Sequence, residues 1–381
     1  MTARRIALIT SSYAPHVGGV ETHVAEVARA LTARGDRVEV WAVDRGARPV
    51  AAPEEPFPVR YLPTPLPARR AASLARVALR GPGALTRWTR AHREFCPDVL
   101  HVHCFGPNGL YALALHRRFG TPLVVTSHGE TTGDDDNVFA QSALLRRGLR
   151  DALLVAGAVT APSEYVLRDL RERFGLTGGA VVPNGVTVRT EVGAPPLQGR
   201  YLTAVRRLGW MKGVDLLVSA YAHARTSGRI DPSVRLVIAG DGPERLRLEE
   251  QIRVLGLDDA VLMLGWQDPA EVAALVAGAD AMVVPSRDEA FGIVALEAWR
   301  GGAPLIMTTR GGAAEFMTDG VDALLVDPED VDALADAIAR VLADPSLRER
   351  LSAAGSARIA EFSWERVAAG YAARYTALAT R

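Results

Sequence analysis

The chain carries 44 basic residues, and only one of them, Lys212, is a lysine. An arginine-rich sequence that keeps a single lysine points to a place where a compact ammonium serves and a planar guanidinium does not. Lys212 stands in the segment Val205-Arg206-Arg207-Leu208-Gly209-Trp210-Met211-Lys212-Gly213, which follows an apolar run and opens a helical pattern over Val214–Arg225. Arg207 and Lys212 flank one short turn, so both cations can converge on a pyrophosphate. A second segment, Pro285 to Glu297, places Glu289 ahead of a helix expected from Phe291 to Arg300 and Glu297 two turns inside it. The two carboxylates are then roughly 9–12 Å apart along one side, too far to share a proton but suited to a sugar and a ribose. The helix start at Phe291, Gly292 and Ile293 offers unpaired amides and a positive dipole end to a phosphate leaving group. A third loop, Gly18-Gly19-Val20-Glu21, lets backbone approach a ligand closely and also opens a helix.

Other chemistries fit poorly. Neither a G-x-G-x-x-G fingerprint nor a G-x-x-x-x-G-K-[ST] loop occurs, so a nicotinamide cofactor and a P-loop nucleotide site are not expected. The formal net charge of zero argues against general nucleic-acid binding. Asp134-Asp135-Asp136 resembles a metal motif but lacks supporting spacing, and reads as a polar loop able to meet a cationic acceptor. His101 and His103 share one face of a strand and with His128 could suggest zinc, but no cysteine or carboxylate partner is evident and ordinary packing is the preferred reading. Cys96 and Cys104 make no disulfide framework and are expected as thiols.

The elements that must position these residues alternate from end to end. Apolar runs read as buried parallel strands at Ile6–Thr10, Val38–Val43, Val99–Val102, Leu123–Thr126 and Val159–Ala161. The rhythm restarts at Tyr201–Val205, Leu236–Ala239, Val261–Leu264, Ala281–Val284, Pro304–Met307 and Ala323–Val326. Helical patterns lie between them, such as Val20–Arg34 before Gly35. The fold class is α/β, with two doubly wound parallel sheets. The 381 residues, 48% of them hydrophobic, are enough for two cores. The aperiodic stretch Val186–Arg200 is the linker candidate, and the two sheets are expected to face each other across a ligand cleft.

Taken together the motifs are similar to those of the retaining glycosyltransferases of family four, which have the GT-B fold of two facing Rossmann-like domains. The resemblance spans nearly the whole chain. It rests on Gly-Gly-Val-Glu at 18–21, Ser-His-Gly at 127–129, Val-Pro-Asn-Gly-Val at 182–186 (with Asn184), and Arg207 with Lys212. Gly-Asp-Gly-Pro at 240–243, Leu-Gly-Trp at 264–266, the Glu289/Glu297 pair and Gly311-Gly312 before Glu315 complete it. It implies domains at 1–190 and 191–362, with a last segment, 363–381, whose helix (Trp364–Leu378) returns to the first domain. It implies a metal-independent transfer of a hexosyl group, with retention, from a nucleotide diphosphate sugar to an acceptor hydroxyl. Gly18 and Gly19 would lie under the donor phosphates, which Arg207 and Lys212 would neutralise. Glu289 would hold sugar hydroxyls and Glu297 the ribose. Leu264, Gly265 and Trp266 would line the base, and His128 would sit beside the reaction centre. Asn184, Phe291, Gly292 and Ile293 would join the donor site. Two positions depart from the family pattern: Arg206 replaces the usual glycine before the clamp arginine, and Val294-Ala295 replaces a frequent proline. An epimerase on the same scaffold and a non-catalytic nucleotide-sugar binder are the alternatives.

The acceptor is expected to be a small molecule or a lipid. Residues 60–93 hold eight arginines (Arg60, Arg69, Arg70, Arg76, Arg80, Arg87, Arg90 and Arg93) and no acid. They border Leu74, Val77, Leu79, Leu85 and Trp88. The preferred reading is a solvated helical hairpin broken at Gly81-Pro82-Gly83, and the alternative is a weak peripheral contact with an anionic membrane surface. No apolar run spans a bilayer and Met1–Ile9 does not read as a signal peptide, which points to the cytoplasm, with that contact at the inner membrane face.

Overall fold

Short β-branched runs form thirteen strands among the described residues, and every pairing is parallel. The computed structural model describes residues 3–16, 18–46, 55–66, 71–132, 138–188, 193–195 and 197–379, with main chain only at 71–81 and 379. The first sheet contains β1 (Arg5–Thr10), β2 (Arg37–Val43), β3 (Val59–Leu62), β4 (Val99–His103), β5 (Leu123–Thr126), β6 (Ala158–Ala161) and β7 (Ala180–Val181). Its order is β3-β2-β1-β4-β5-β6-β7. The second contains β8 (Tyr201–Val205), β9 (Arg235–Ala239), β10 (Val261–Gly265), β11 (Ala281–Val284), β12 (Leu305–Thr308) and β13 (Leu324–Val326), in the order β10-β9-β8-β11-β12-β13. Parallel strands need crossovers, and the helices that supply them cover both faces, so the central strands are buried almost throughout.

Sheet order determines where ligands can bind. In each sheet the strand order reverses beside the strand that starts it, between β1 and β4 in one and between β8 and β11 in the other. The loops leaving two such strands diverge and open a crevice at their carboxyl ends. The loops after β8 and β11 are the two that carry Lys212 and Glu289.

Two strands escaped the sequence reading for physical reasons. β3 is an edge strand with only Leu62 buried, and β7 is two residues long, so neither leaves an apolar run. The expected hairpin at 60–93 is corrected: one helix, Ala71–Phe95, runs through Pro82. Beyond that proline Ala84, Trp88, Ala91 and Phe95 are buried at helical spacing, and Trp88 Nε1 donates to the Pro63 carbonyl at 2.9 Å. This packing outweighs the local break. Asp134–Asp136, Arg69, Arg70 and the side chains of Leu74, Arg76, Val77, Leu79 and Arg80 lie outside the described residues.

The chain divides into two compact units, one of Met1–Asn184 with Trp364–Arg381 and the other of Gly185–Ser363. The last helix, Trp364–Ala379, thus belongs to the first unit, where Trp364, Val367, Tyr371 and Tyr375 pack with Val24, Val27 and Leu31 of the helix Gly19–Ala33.

Candidate active site

In the second unit, β8 ends at Val205 and the chain turns through Arg206–Gly209 into a single 3-10 turn, Trp210–Lys212, before the helix Val214–Thr226. Gly213 between them has φ 65°, and a Cβ there would lie 1.9 Å from the Pro285 carbonyl oxygen. Only glycine allows the two site loops to come this close. Arg287 joins them: its amide donates to the Met211 carbonyl (2.9 Å), and its guanidinium holds Asp215 through two bonds of 2.8 and 2.7 Å. It also lies 4.6 Å from the centroid of the half-exposed Trp210 ring. The loop bearing Lys212 is therefore fixed from the loop bearing Glu289.

Glu289 follows β11 and forms a parallel bridge with Gly311, whose φ is 110° and whose Cβ would meet the Glu289 carbonyl oxygen at 2.1 Å. The Glu289 carboxylate is buried. Its Oε2 accepts from Arg206 Nη2 (3.0 Å), Ser286 Oγ (2.8 Å) and Lys212 Nζ (3.2 Å), while among the described residues Oε1 accepts only from Lys212 Nζ at 3.4 Å. Burial pushes this carboxyl up, but Lys212 and Arg206 outweigh burial and, with the Ser286 hydroxyl, hold it at about 2. It is an anion at every working pH, able only to accept.

Other expected residues of this unit are distributed around that centre. Arg207 is exposed and its side chain pairs with no other described residue. Gly292 adopts φ 85° and caps the helix Ile293–Gly301, which starts two residues later than expected. Phe291 is 2% exposed and stacks on Phe316 at 4.4 Å, so its side chain belongs to the core and only its backbone can face a ligand. Glu297 is half-buried and unpaired among the described residues, and burial raises its pKa. Gly265 ends β10 with φ 72°, and Trp266 beyond it is exposed. The structure brings Lys212 and Glu289 into contact and leaves Arg207, Glu297 and Trp266 available. Sequence reasoning missed Ser286 and the Arg287–Asp215 tie, both made of common residue types with no signature spacing.

In the first unit, Gly18 and Gly19 are exposed at the start of the helix Gly19–Ala33. His128 follows β5; its amide donates to Glu130 Oε2 at 2.7 Å and its Nε2 lies 3.1 Å from His103 Nδ1. Burial lowers its pKa to about 4. His101 is spent on packing contacts: Nδ1 meets Tyr375 Oη at 2.6 Å and Nε2 meets Thr126 Oγ1 at 2.7 Å. His101 packs against His103 (ring centroids 4.0 Å), in line with the packing reading preferred for it, and the histidines whose nitrogens lie within 4.8 Å of one another are His23, His103 and His128. His23 Nε2 pairs with Tyr371 Oη at 3.0 Å, and His23 Nδ1 and the Oδ1 of buried Asn184 have no partner among the described residues. A histidine inside the apolar stripe Val24, Val27, Leu31 was the legible sign of His23. The trio consists of imidazoles alone, a donor set that can ligate a divalent ion without a carboxylate.

Comparison with known proteins agrees with this picture. Residues 17–189 match the family described as Glycosyltransferase Family 4, and residues 190–358 match Glycosyl transferases group 1. The chain is 32% identical to the D-inositol 3-phosphate glycosyltransferase of Acidothermus cellulolyticus, over 100% of its own length and 92% of that protein. It is 30% identical to the glycogen synthase of Mycobacterium tuberculosis, with 98% and 94% covered. Among solved structures, the sucrose-phosphate synthase of Thermosynechococcus elongatus matches with a TM-score of 0.81 at 25% identity, over 99% of each chain. Anabaena HepE, in complex with UDP and glucose, matches with a TM-score of 0.78 at 22% identity, over 98% and 99%. The fold is GT-B and the protein is a transferase of glycosyl groups. The chain belongs to glycosyltransferase family 4.

Proposed function

We propose that this glycosyltransferase moves a hexosyl group from a nucleotide diphosphate sugar to an acceptor hydroxyl, with retention and without a metal ion. The observation that carries the reading is the Lys212–Glu289 pair at the β8/β11 switch point, an ammonium beside a carboxylate that only accepts. Lys212 and Arg207 neutralise the diphosphate, and Glu289 accepts from hydroxyls of the sugar. The amides at Gly292–Ile293 and the helix dipole add to the field on the leaving phosphate. The bond from carbon one to the phosphate oxygen breaks, the acceptor oxygen bonds to the same face, and its proton passes to the departing phosphate. HepE has been solved with UDP-glucose and with UDP, which supports a donor of this class.

The acceptor is a small molecule or a lipid. Leu85, Leu110, Leu113 and Leu144 line a surface cavity of about 720 Å³ in the first unit, rimmed by Arg118, Arg147 and the Arg117–Asp151 pair, and Arg87, Arg90 and Arg93 are exposed on the helix beside it. That combination supports peripheral contact with an anionic membrane, although Trp88 is committed to the core. Among the described residues no helix is long and apolar enough to cross a membrane.

A thermal-shift panel of UDP-, GDP- and ADP-sugars tests the donor, since a bound donor raises Tm. Release of nucleoside diphosphate with a glycosylated product, unchanged by chelator, supports transfer without a metal. An epimerised donor, or loss of turnover with chelator, overturns it. Co-sedimentation with anionic vesicles at low salt supports the membrane contact, and no binding there removes it.

A further inference from the structure

Arg206 is buried under the candidate site with its side chain 2% exposed. Its Nη2 donates to Ser286 Oγ at 2.7 Å and to Glu289 Oε2 at 3.0 Å, and its Nε and Nη1 have no partner among the described residues. A guanidinium retained for packing spreads its five donors over several acceptors. Among the described residues its only side-chain acceptors are the site carboxylate and the hydroxyl that supports it.

The two cations on Glu289 differ in freedom. Lys212 keeps 32% of its side chain exposed and sits at the long end of bonding distance, whereas Arg206 is enclosed. A cation that must serve a diphosphate cannot also be the sole counter-ion of a buried carboxylate, because its departure would strand that charge. We propose that Arg206 is the fixed counter-ion of Glu289, a positioning residue that frees Lys212 to turn from the carboxylate to an anionic ligand. The proposal rests on reading Lys212 as a phosphate clamp. The bonding pattern on the carboxylate agrees with it. Arg206 and Ser286 both bind Oε2 and hold the group in place, while among the described residues Oε1 depends on Lys212 alone. When Lys212 turns away, Oε1 is opened to accept from a ligand hydroxyl. One movement of the ammonium serves both groups.

Because Lys212 is the only lysine, isotope-labelled lysine gives the full chain one side-chain lysine NMR signal. Inorganic pyrophosphate is titrated against it. R206K keeps the charge and adds a second lysine signal, told from that of Lys212 by comparison with wild type; it should bind within ~3-fold of wild type, whereas R206Q should bind at least ~10-fold more weakly. Adding E289Q to R206Q should restore affinity, since no carboxylate then competes for the ammonium. An equal R206Q effect with and without E289Q overturns the counter-ion role.

A wild-type signal that ignores pyrophosphate removes the clamp reading instead. The counter-ion is then judged by pH alone, on the same signal. Protonation of Glu289 should appear at higher pH in R206Q than in wild type, where the carboxyl is held at about 2. Matching curves overturn the proposal.

Discussion

His23, His101, His103 and His128 in the first unit, and Arg206, Lys212, Ser286 and Glu289 in the second, are both polar clusters set near the carboxyl ends of strands beside a switch point. One is kept neutral and the other charged. An imidazole loses its proton near neutral pH, so burial, with neighbouring imidazoles adding to it at His23, His101 and His103, discharges it: His101 falls to about 3 and His128 to about 4, and His23 and His103 fall well below their ordinary value. The imidazoles then bond to Tyr371, Tyr375 and Thr126, which ties the last helix to the first sheet. Glu289 cannot discharge in this way, because two cations lie against it. A neutral cluster costs little to bury and serves architecture. A charged cluster is expensive unless paired, and its pairs can be exchanged for those of a charged ligand. His128, half-buried at the margin of the first cluster, is where the two roles meet.

The largest expected effect breaks the charged cluster. Lys212→Ala and Glu289→Ala should each lower kcat at least ~100-fold, the scale of deleting one fixed donor to a transition-state charge. Steady-state turnover of the purified variants checks this, with unchanged far-ultraviolet circular dichroism confirming the fold. If His128→Ala costs more than either, the division of labour drawn above is reversed.

How far these clusters were legible in the sequence follows from the same contrast. Lys212 could be found because it is rare, and Glu289 because it precedes a helix whose start has its own signals. The strands could be placed because parallel, doubly covered strands leave continuous apolar runs; Leu123–Thr126 and Ala281–Val284 match to the residue. The neutral cluster was largely hidden. Its bonds run from β4 to a helix more than 270 residues later, as between His101 and Tyr375 (|i−j| 274), and no local spacing encodes such a contact. Arg206 was visible only as a departure from a pattern, and its burial under Glu289 depends on how two loops, 83 residues apart, converge.

A second, smaller effect separates the clusters by pH. A group whose folded pKa is lowered leaves the unfolded chain binding more protons between the two values, so stability falls as pH drops through that window. For the imidazoles the window opens at 6.5 and closes only near 4 for His128 and near 3 for His101. Each imidazole held neutral should cost about 2 kcal/mol between pH 7 and pH 5. Glu289 contributes stability that is present above 4.5 and lost as pH falls toward 2. Denaturant titrations at pH 7, 6 and 5 should therefore show the first unit weakening before the second. Equal weakening, or none, would mean that the histidines are not held neutral.

The smallest effect sharpens the assignment of the neutral cluster to architecture. Tyr375→Phe removes the hydroxyl that bonds His101 Nδ1 and leaves a buried imidazole nitrogen unpaired, at a cost of about 1–3 kcal/mol. Because Thr126 still holds Nε2, the ring should keep its place, and because Tyr375 lies on the last helix, the loss should be confined to the docking of Trp364–Ala379. Melting should shift downward by several degrees (~2–4 °C per kcal/mol for a unit of this size) while kcat and KM stay at wild-type values. A fall in kcat with Tm unchanged would give the opposite reading: the hydrogen bond would then act through His101 and His103 on His128, and the first cluster would belong to the chemistry after all.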